Sequence, residues 1–128
     1  MQPTNGCRRV EGNVAIVTGA NGGLGSAIAR SLGLEGAKVA LGVRRGREMA
    51  EKVETEIRES GGEAYVANLD VSNPESIQTF TSECYSRYGP ASILVNTAGR
   101  IDPADAVRFE EINSDEIVKR IFESVPTP

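Results

Sequence analysis

The segment Thr18-Gly19-Ala20-Asn21-Gly22-Gly23-Leu24-Gly25 constrains this chain more than any other. It follows Val14 to Thr18, an apolar run rich in β-branched residues that reads as a buried strand. It opens a stretch in which Leu24, Ile28 and Leu32 recur at helical spacing and which Gly36 closes. A strand that turns through glycines into a helix is the context in which a phosphate can be held. Helix N-termini offer free N–H groups and a positive dipole end, and glycines remove the Cβ atoms that would block close approach. The alternative is a glycine-rich strand-to-helix turn that binds nothing. A Walker loop is excluded, because no Gly-Lys-Ser/Thr follows.

The pattern then repeats. Lys38 to Val43 reads as a second strand. Arg47 to Ser60 reads as a helix with Met49, Val53 and Ile57 as its apolar stripe, ended by Gly61 and Gly62. Ala64 to Leu69 is a third strand. Ser72 with Glu75 has the form of a capping box, Pro74 suits a first turn, and the helix runs to Tyr88 with Ile77, Phe80 and Cys84 inward. Gly89-Pro90 stops it, and Ser92 to Asn96 is a fourth strand. After a loop, Asn113 caps a last helix carrying Ile117, Val118, Ile121 and Phe122. Strands of near-continuous apolar character alternating with helices predict an α/β fold. Its parallel sheet would be covered on both faces, with right-handed crossovers and strand order 3-2-1-4. The organisation is an N-terminal tail over 1–12, one dinucleotide-binding domain of Rossmann type over 13–123, and a divergent tail over 124–128.

Composition removes whole classes of chemistry. The 128 residues hold no histidine, so neither a Ser-His-Asp nor a Cys-His nucleophile nor a histidine zinc site can form. Two distant cysteines, Cys7 and Cys84, cannot make a cysteine-only metal site, and they point to a reduced, cytoplasmic setting. No metal ligand set is expected. A formal charge of -4 argues against nucleic acid or an anionic membrane as partner. No apolar run of about 20 residues is present for a membrane span.

At the end of the second strand a carboxylate would bond a ribose 2′-hydroxyl, and an arginine would suit a 2′-phosphate. The sequence there is Val43-Arg44-Arg45, without a carboxylate. Arg44 can make a bidentate, charge-assisted contact with a phosphate monoester, which favours NADP over NAD. The alternative is a solvated basic turn, since Arg45 and Arg47 lie beside it.

Three motifs together resemble the short-chain dehydrogenase/reductase family. They stand here as Thr18-Gly19-x-x-x-Gly23-x-Gly25, Asp70-Val71 after the third strand, and Asn96-Thr97-Ala98-Gly99 after the fourth. The segment from Val39 to Arg45 is similar to the NADP-preferring members, including acyl-carrier-protein and carbonyl reductases. The resemblance implies an NADP(H) site made by Gly19, Asn21, Gly22, Gly23, Leu24 and Gly25, with Arg44, Asp70, Val71, Asn96, Ala98 and Gly99. Asp70 and the backbone of Val71 would meet the adenine, and Asn96, Ala98 and Gly99 the nicotinamide ribose. The second residue of the last motif, usually asparagine in the family, is Thr97 here.

The family's chemistry uses a tyrosine followed four residues later by a lysine, which lowers the tyrosine pKa. Tyr65, Tyr85 and Tyr88 are followed at that spacing by Leu69, Gly89 and Ser92. No catalytic residue is therefore assigned. The match also fails at Ser124-Val125-Pro126, where the family places an asparagine, so the expectation is a truncated, frameshifted or alternatively spliced product. Three readings stay open: the NAD(P)-binding portion of an oxidoreductase, a non-catalytic module that pairs with itself or with a full-length relative, and an unstable product.

Overall fold

The computed structural model describes residues 9–97. Its elements run β1 (Val14–Thr18), α1 (Gly23–Leu34), β2 (Lys38–Val43), α2 (Glu48–Glu59), β3 (Ala64–Asn68), α3 (Pro74–Tyr88) and β4 (Ile93–Asn96). The sheet order is β3-β2-β1-β4, with every pairing parallel. This is the expected Rossmann-type order 3-2-1-4. The helix read from Asn113 onward lies outside the described residues.

β1 shows why both sheet faces must be covered. All five of its residues are buried, and they alternate between two cores. Ala15 and Val17 join Leu41, Ala29 and Ile57 under α1 and α2. Val14 and Ile16 join Tyr65, Ile77 and Phe80 under α3. The period of two sends successive side chains to opposite faces, so a strand buried on both sides reads as an unbroken apolar run. Val10, ahead of β1, packs on the first core, and its N–H donates to the Glu35 carbonyl at 3.2 Å.

The inward faces of the helices depart from the expected stripes. α1 buries Gly25, Ser26, Ala29 and Gly33, while Leu24 is 67% exposed. A Cβ on Gly33 would stand 2.5 Å from Ile57 Cδ1, so α1 presents small residues because α2 lies close against it. α2 turns Ala50, Val53 and Ile57 inward and leaves Met49 exposed, which corrects the expected stripe by one residue. The cap of α3 is Asn73, not Ser72. Its Oδ1 accepts from the N–H groups of Glu75 at 2.9 Å and Ser76 at 3.4 Å. Ser72 lies one residue ahead of the cap position, since α3 begins at Pro74, and its hydroxyl donates to Asp70 Oδ1 at 2.7 Å. Cys84 is buried on the inward face of α3.

Four parallel strands have their C-termini on one edge of the sheet. The loops after β1, β2 and β3 therefore open on the same side, where β1 lies between β2 and β4. In open α/β sheets that reversal of strand order leaves a crevice outside the strand ends.

Candidate cofactor site

The β1–α1 loop turns at Gly19, whose φ of +66° lies in the left-handed region that glycine adopts without strain. Gly22 N–H donates to the Gly19 carbonyl at 3.1 Å and closes the turn. Gly22 is the N-cap of α1 and carries no side-chain cap, and the first turn contains no acidic residue. The first N–H groups of α1 thus point into the strand-end crevice without a carboxylate to compete for them. Gly22, Gly23 and Leu24 are exposed at this mouth.

Gly25 sets how close the helix stands to the strand ends. A Cβ there would meet the Gly19 carbonyl oxygen and would lie 2.5 Å from Thr97 Oγ1. The Thr97 hydroxyl donates to the Thr18 carbonyl at 2.6 Å. Thr18 Oγ1 donates to Asn96 Oδ1 at 2.7 Å, across the pair that register places side by side. The ends of β1 and β4 are thus bonded to each other directly beneath the glycine loop. Thr97, which departs from the family's asparagine, supplies one of those bonds. The roles of Thr18 and Thr97 were not read from the sequence; the register of two parallel strands is what brings them together.

The β2–α2 turn carries Arg44, Arg45 and Arg47, all exposed. Arg47 is engaged, donating from Nη2 to the Val66 carbonyl at 3.1 Å and pairing with Glu51 at 3.6 Å. The Arg45 carbonyl accepts from Asn21 Nδ2 at 2.7 Å. Asn21, read as a cofactor contact, thus spends this donor on the neighbouring turn.

Asp70 follows β3. Its carboxylate accepts from the Ser72 hydroxyl at 2.7 Å and from the Ser72 N–H at 3.0 Å. The Ser72 hydroxyl, with the Ser72 N–H and the positive charge of Arg44 adding to it, holds Asp70 below the usual carboxylate value despite partial burial. Arg44 and Asp70 are therefore electrostatic neighbours across the ends of β2 and β3. The Val71 side chain is buried in the core under α3, so only its backbone faces the crevice side. Ala98 and Gly99 lie outside the described residues. The structure brings the glycine loop, Asn21, Arg44, Asp70 and Asn96 to one edge of the sheet.

Among the described residues, no three His, Cys, Asp or Glu side chains gather as a metal site. No helix there is long and apolar enough to cross a membrane.

The strand-end edge gathers the features that a phosphate-bearing ligand needs. It has a close-packed glycine turn that a Cβ would fill and uncapped helix N–H groups at its centre. Arg44 and Asp70 stand on one side of that turn, and Asn96 on the other.

Comparison with known proteins agrees with this geometry. The family model for the short chain dehydrogenases matches residues 13–125. A versicolorin reductase of Emericella nidulans is 40% identical over 91 residues, covering 71% of this chain and 34% of that protein. A 2,5-dichloro-2,5-cyclohexadiene-1,4-diol dehydrogenase of Sphingobium indicum is 41% identical over 103 residues, covering 80% of this chain and 40% of the relative. Among solved structures, a dehydrogenase/reductase from Sinorhizobium meliloti superposes with a TM-score of 0.81 at 30% identity over 93% of this chain and 52% of the other. An actinorhodin polyketide ketoreductase with NADPH gives 0.75 at 33% identity, over 88% and 47%. The chain spans about a third to two-fifths of the length of these curated relatives. That family binds nicotinamide dinucleotides, and the matched region is its N-terminal part. The chain belongs to the short-chain dehydrogenase/reductase family and carries the N-terminal, cofactor-binding portion of such an oxidoreductase.

Proposed function

We propose that this chain binds NADP(H) in preference to NAD(H). One observation carries the reading: β2 ends at Val43 without a carboxylate, and the exposed Arg44 follows directly at that strand end. An acidic side chain there would accept from a ribose 2′-hydroxyl and repel a 2′-phosphate, whereas a guanidinium pairs with the phosphate. The actinorhodin ketoreductase, solved with NADPH, shares this fold and supports the reading. In this assignment the N–H groups of Gly23, Leu24 and Gly25 hold the diphosphate, with Gly19, Asn21 and Gly22 shaping their loop. Asp70 and the Val71 backbone meet the adenine. Asn96, Ala98 and Gly99 border the nicotinamide ribose.

The nicotinamide, when bound, supplies a hydride to a carbonyl or takes one from an alcohol. Reduction of a carbonyl is the activity we propose for the whole protein of this type. The chain's own residues bind and orient the cofactor. None is assigned as the acid that would protonate the substrate oxygen, because no tyrosine is followed by a lysine at the required spacing.

Association with a second copy or with a longer relative is the second reading, and within the described residues β4 pairs with β1. A free, buried Cys84 fits a cytoplasmic setting. Titration of the full chain into NADPH, followed by nicotinamide fluorescence, tests the assignment. Saturable binding without carbonyl reduction is the expected result, and absence of binding contradicts it.

A further inference from the structure

The tie between Asn21 and Arg45 goes beyond contact with a cofactor. Asn21 belongs to the glycine loop, and Arg45 to the turn that follows β2. The two are 24 residues apart, yet the Asn21 amide donates to the Arg45 carbonyl at 2.7 Å. A second bond runs parallel to it, from the Ala20 N–H to the Gly42 carbonyl at 3.1 Å. On the far side of the turn, Arg47 Nη2 donates to the Val66 carbonyl at 3.1 Å. The four-residue turn Arg44-Arg45-Gly46-Arg47 is therefore fastened at both ends, to the glycine loop and to β3. Arg44 stands at its start, exposed, directly after β2.

We propose that Asn21 is a positioning residue for coenzyme discrimination. Its amide joins the diphosphate loop to the arginine turn, so that Arg44 is presented at a set place relative to the uncapped end of α1. The inference rests on the NADP reading and deepens it. An exposed arginine on a loose turn would have to be ordered at the moment of binding, and that ordering weakens the contact. A turn held in place beforehand avoids the loss. Asn21 suits the task because a short amide carries a donor to a neighbouring backbone carbonyl without needing a charge.

The test compares adenosine 2′,5′-bisphosphate with 5′-AMP by calorimetric titration of the full chain, as wild type, Asn21→Ala and Arg44→Ala. Limited trypsin digestion of the ligand-free proteins is followed in parallel. Trypsin cleaving after Arg45 must attack the carbonyl that Asn21 holds. Asn21→Ala is expected to weaken the bisphosphate about two- to tenfold, the size of one exposed hydrogen bond, with a smaller change for 5′-AMP. It is also expected to speed cleavage after Arg44 and Arg45 while leaving the thermal midpoint unchanged.

Suppose Arg44→Ala lowers the preference for the bisphosphate but Asn21→Ala alters neither preference nor cleavage. The clamp is then overturned while the NADP reading stands. A change in binding with no change in cleavage shows that Asn21 touches the ligand directly and also overturns the positioning role. If wild type shows no preference for the bisphosphate and Arg44→Ala changes nothing, the NADP reading fails and the inference falls with it.

Discussion

Thr97 Oγ1 stands 2.5 Å from where a Cβ on Gly25 would lie, so the fourth strand and the first helix cannot both keep their places around any larger residue. The neighbour is not the free end of a flexible chain. The hydroxyl is bonded to the Thr18 carbonyl, and the Gly19 carbonyl crowds the same point. Gly25→Ala therefore forces the helix away from the loop. We expect a loss of about 1–3 kcal/mol in chemical denaturation, as for an overpacked site, together with weakened dinucleotide binding. Unchanged stability and affinity would show that the helix has room to move.

The sequence carried most of the fold and less of the detailed packing. β1 was legible because burial on both faces demands apolar residues at every position. α1 was misread because size stood in for direction: Leu24 faces outward while Gly25 and Gly33 face inward. Close approach selects small residues, which a hydrophobic stripe does not register. Ser72 was misread as a cap for a related reason. The motif fits it, but α3 begins at Pro74, so Asn73 occupies the cap position and accepts from Glu75 N–H. The motif residues Gly19, Gly25, Asp70 and Asn96 lie together at the strand ends as expected, because parallel strands bring their C-termini to one edge. The engagement of Asn21 with Arg45 was not legible, since it depends on the relative heights of two loops.

The bonds from Ser72 make Asp70 sensitive to a single hydroxyl. The folded carboxyl titrates below its ordinary value of 3.8, so its contribution to stability is full above that value. The contribution is lost as pH falls through the lower folded value. Ser72→Ala removes the largest favourable interaction, so the Asp70 carboxyl should titrate at higher pH and its share of acid stability should be lost earlier. NMR titration of the Asp70 carboxyl carbon measures this directly. An unshifted curve would contradict it. Asn73→Ala should instead cost about 1 kcal/mol of stability as the loss of a helix cap.

The outer strand β3 is screened by two arginines of or beside α2. Arg58 Nε donates to the Ala64 carbonyl at 3.0 Å, and Arg47 Nη2 to the Val66 carbonyl at 3.1 Å. These bonds occupy acceptors that another strand would use, and they lay charge along the edge. The double variant Arg47→Ala/Arg58→Ala should scatter light at protein concentrations where wild type stays clear. Its unfolding midpoint should move little, because exposed contacts contribute only about 0–1 kcal/mol each. Equal scattering from both proteins would show that the arginines do not protect the edge.

Burial raises the Cys84 thiol to about 11. Well below pH 9 the thiol is protonated in both folded and unfolded chains. As pH rises from 9.0 to about 11 the unfolded thiol ionises first, so stability falls across that window. Tyr88, raised by burial to about 12, extends the loss upward. Mass mapping after iodoacetamide treatment at pH 8 should therefore find Cys84 unmodified in native protein and alkylated in denaturant. Rapid native labelling of Cys84 would contradict its placement on the buried face of α3.

The central claim is that Arg44 turns a general dinucleotide crevice into one that selects the 2′-phosphate. The most direct measurement is the ratio of NADH to NADPH dissociation constants for wild type and Arg44→Ala, taken at one fixed ionic strength. We predict that wild type binds NADPH more tightly and that Arg44→Ala brings the two constants together by weakening NADPH alone. A wild-type chain that binds NADH as tightly as NADPH, with Arg44→Ala leaving the ratio where it was, would contradict the account.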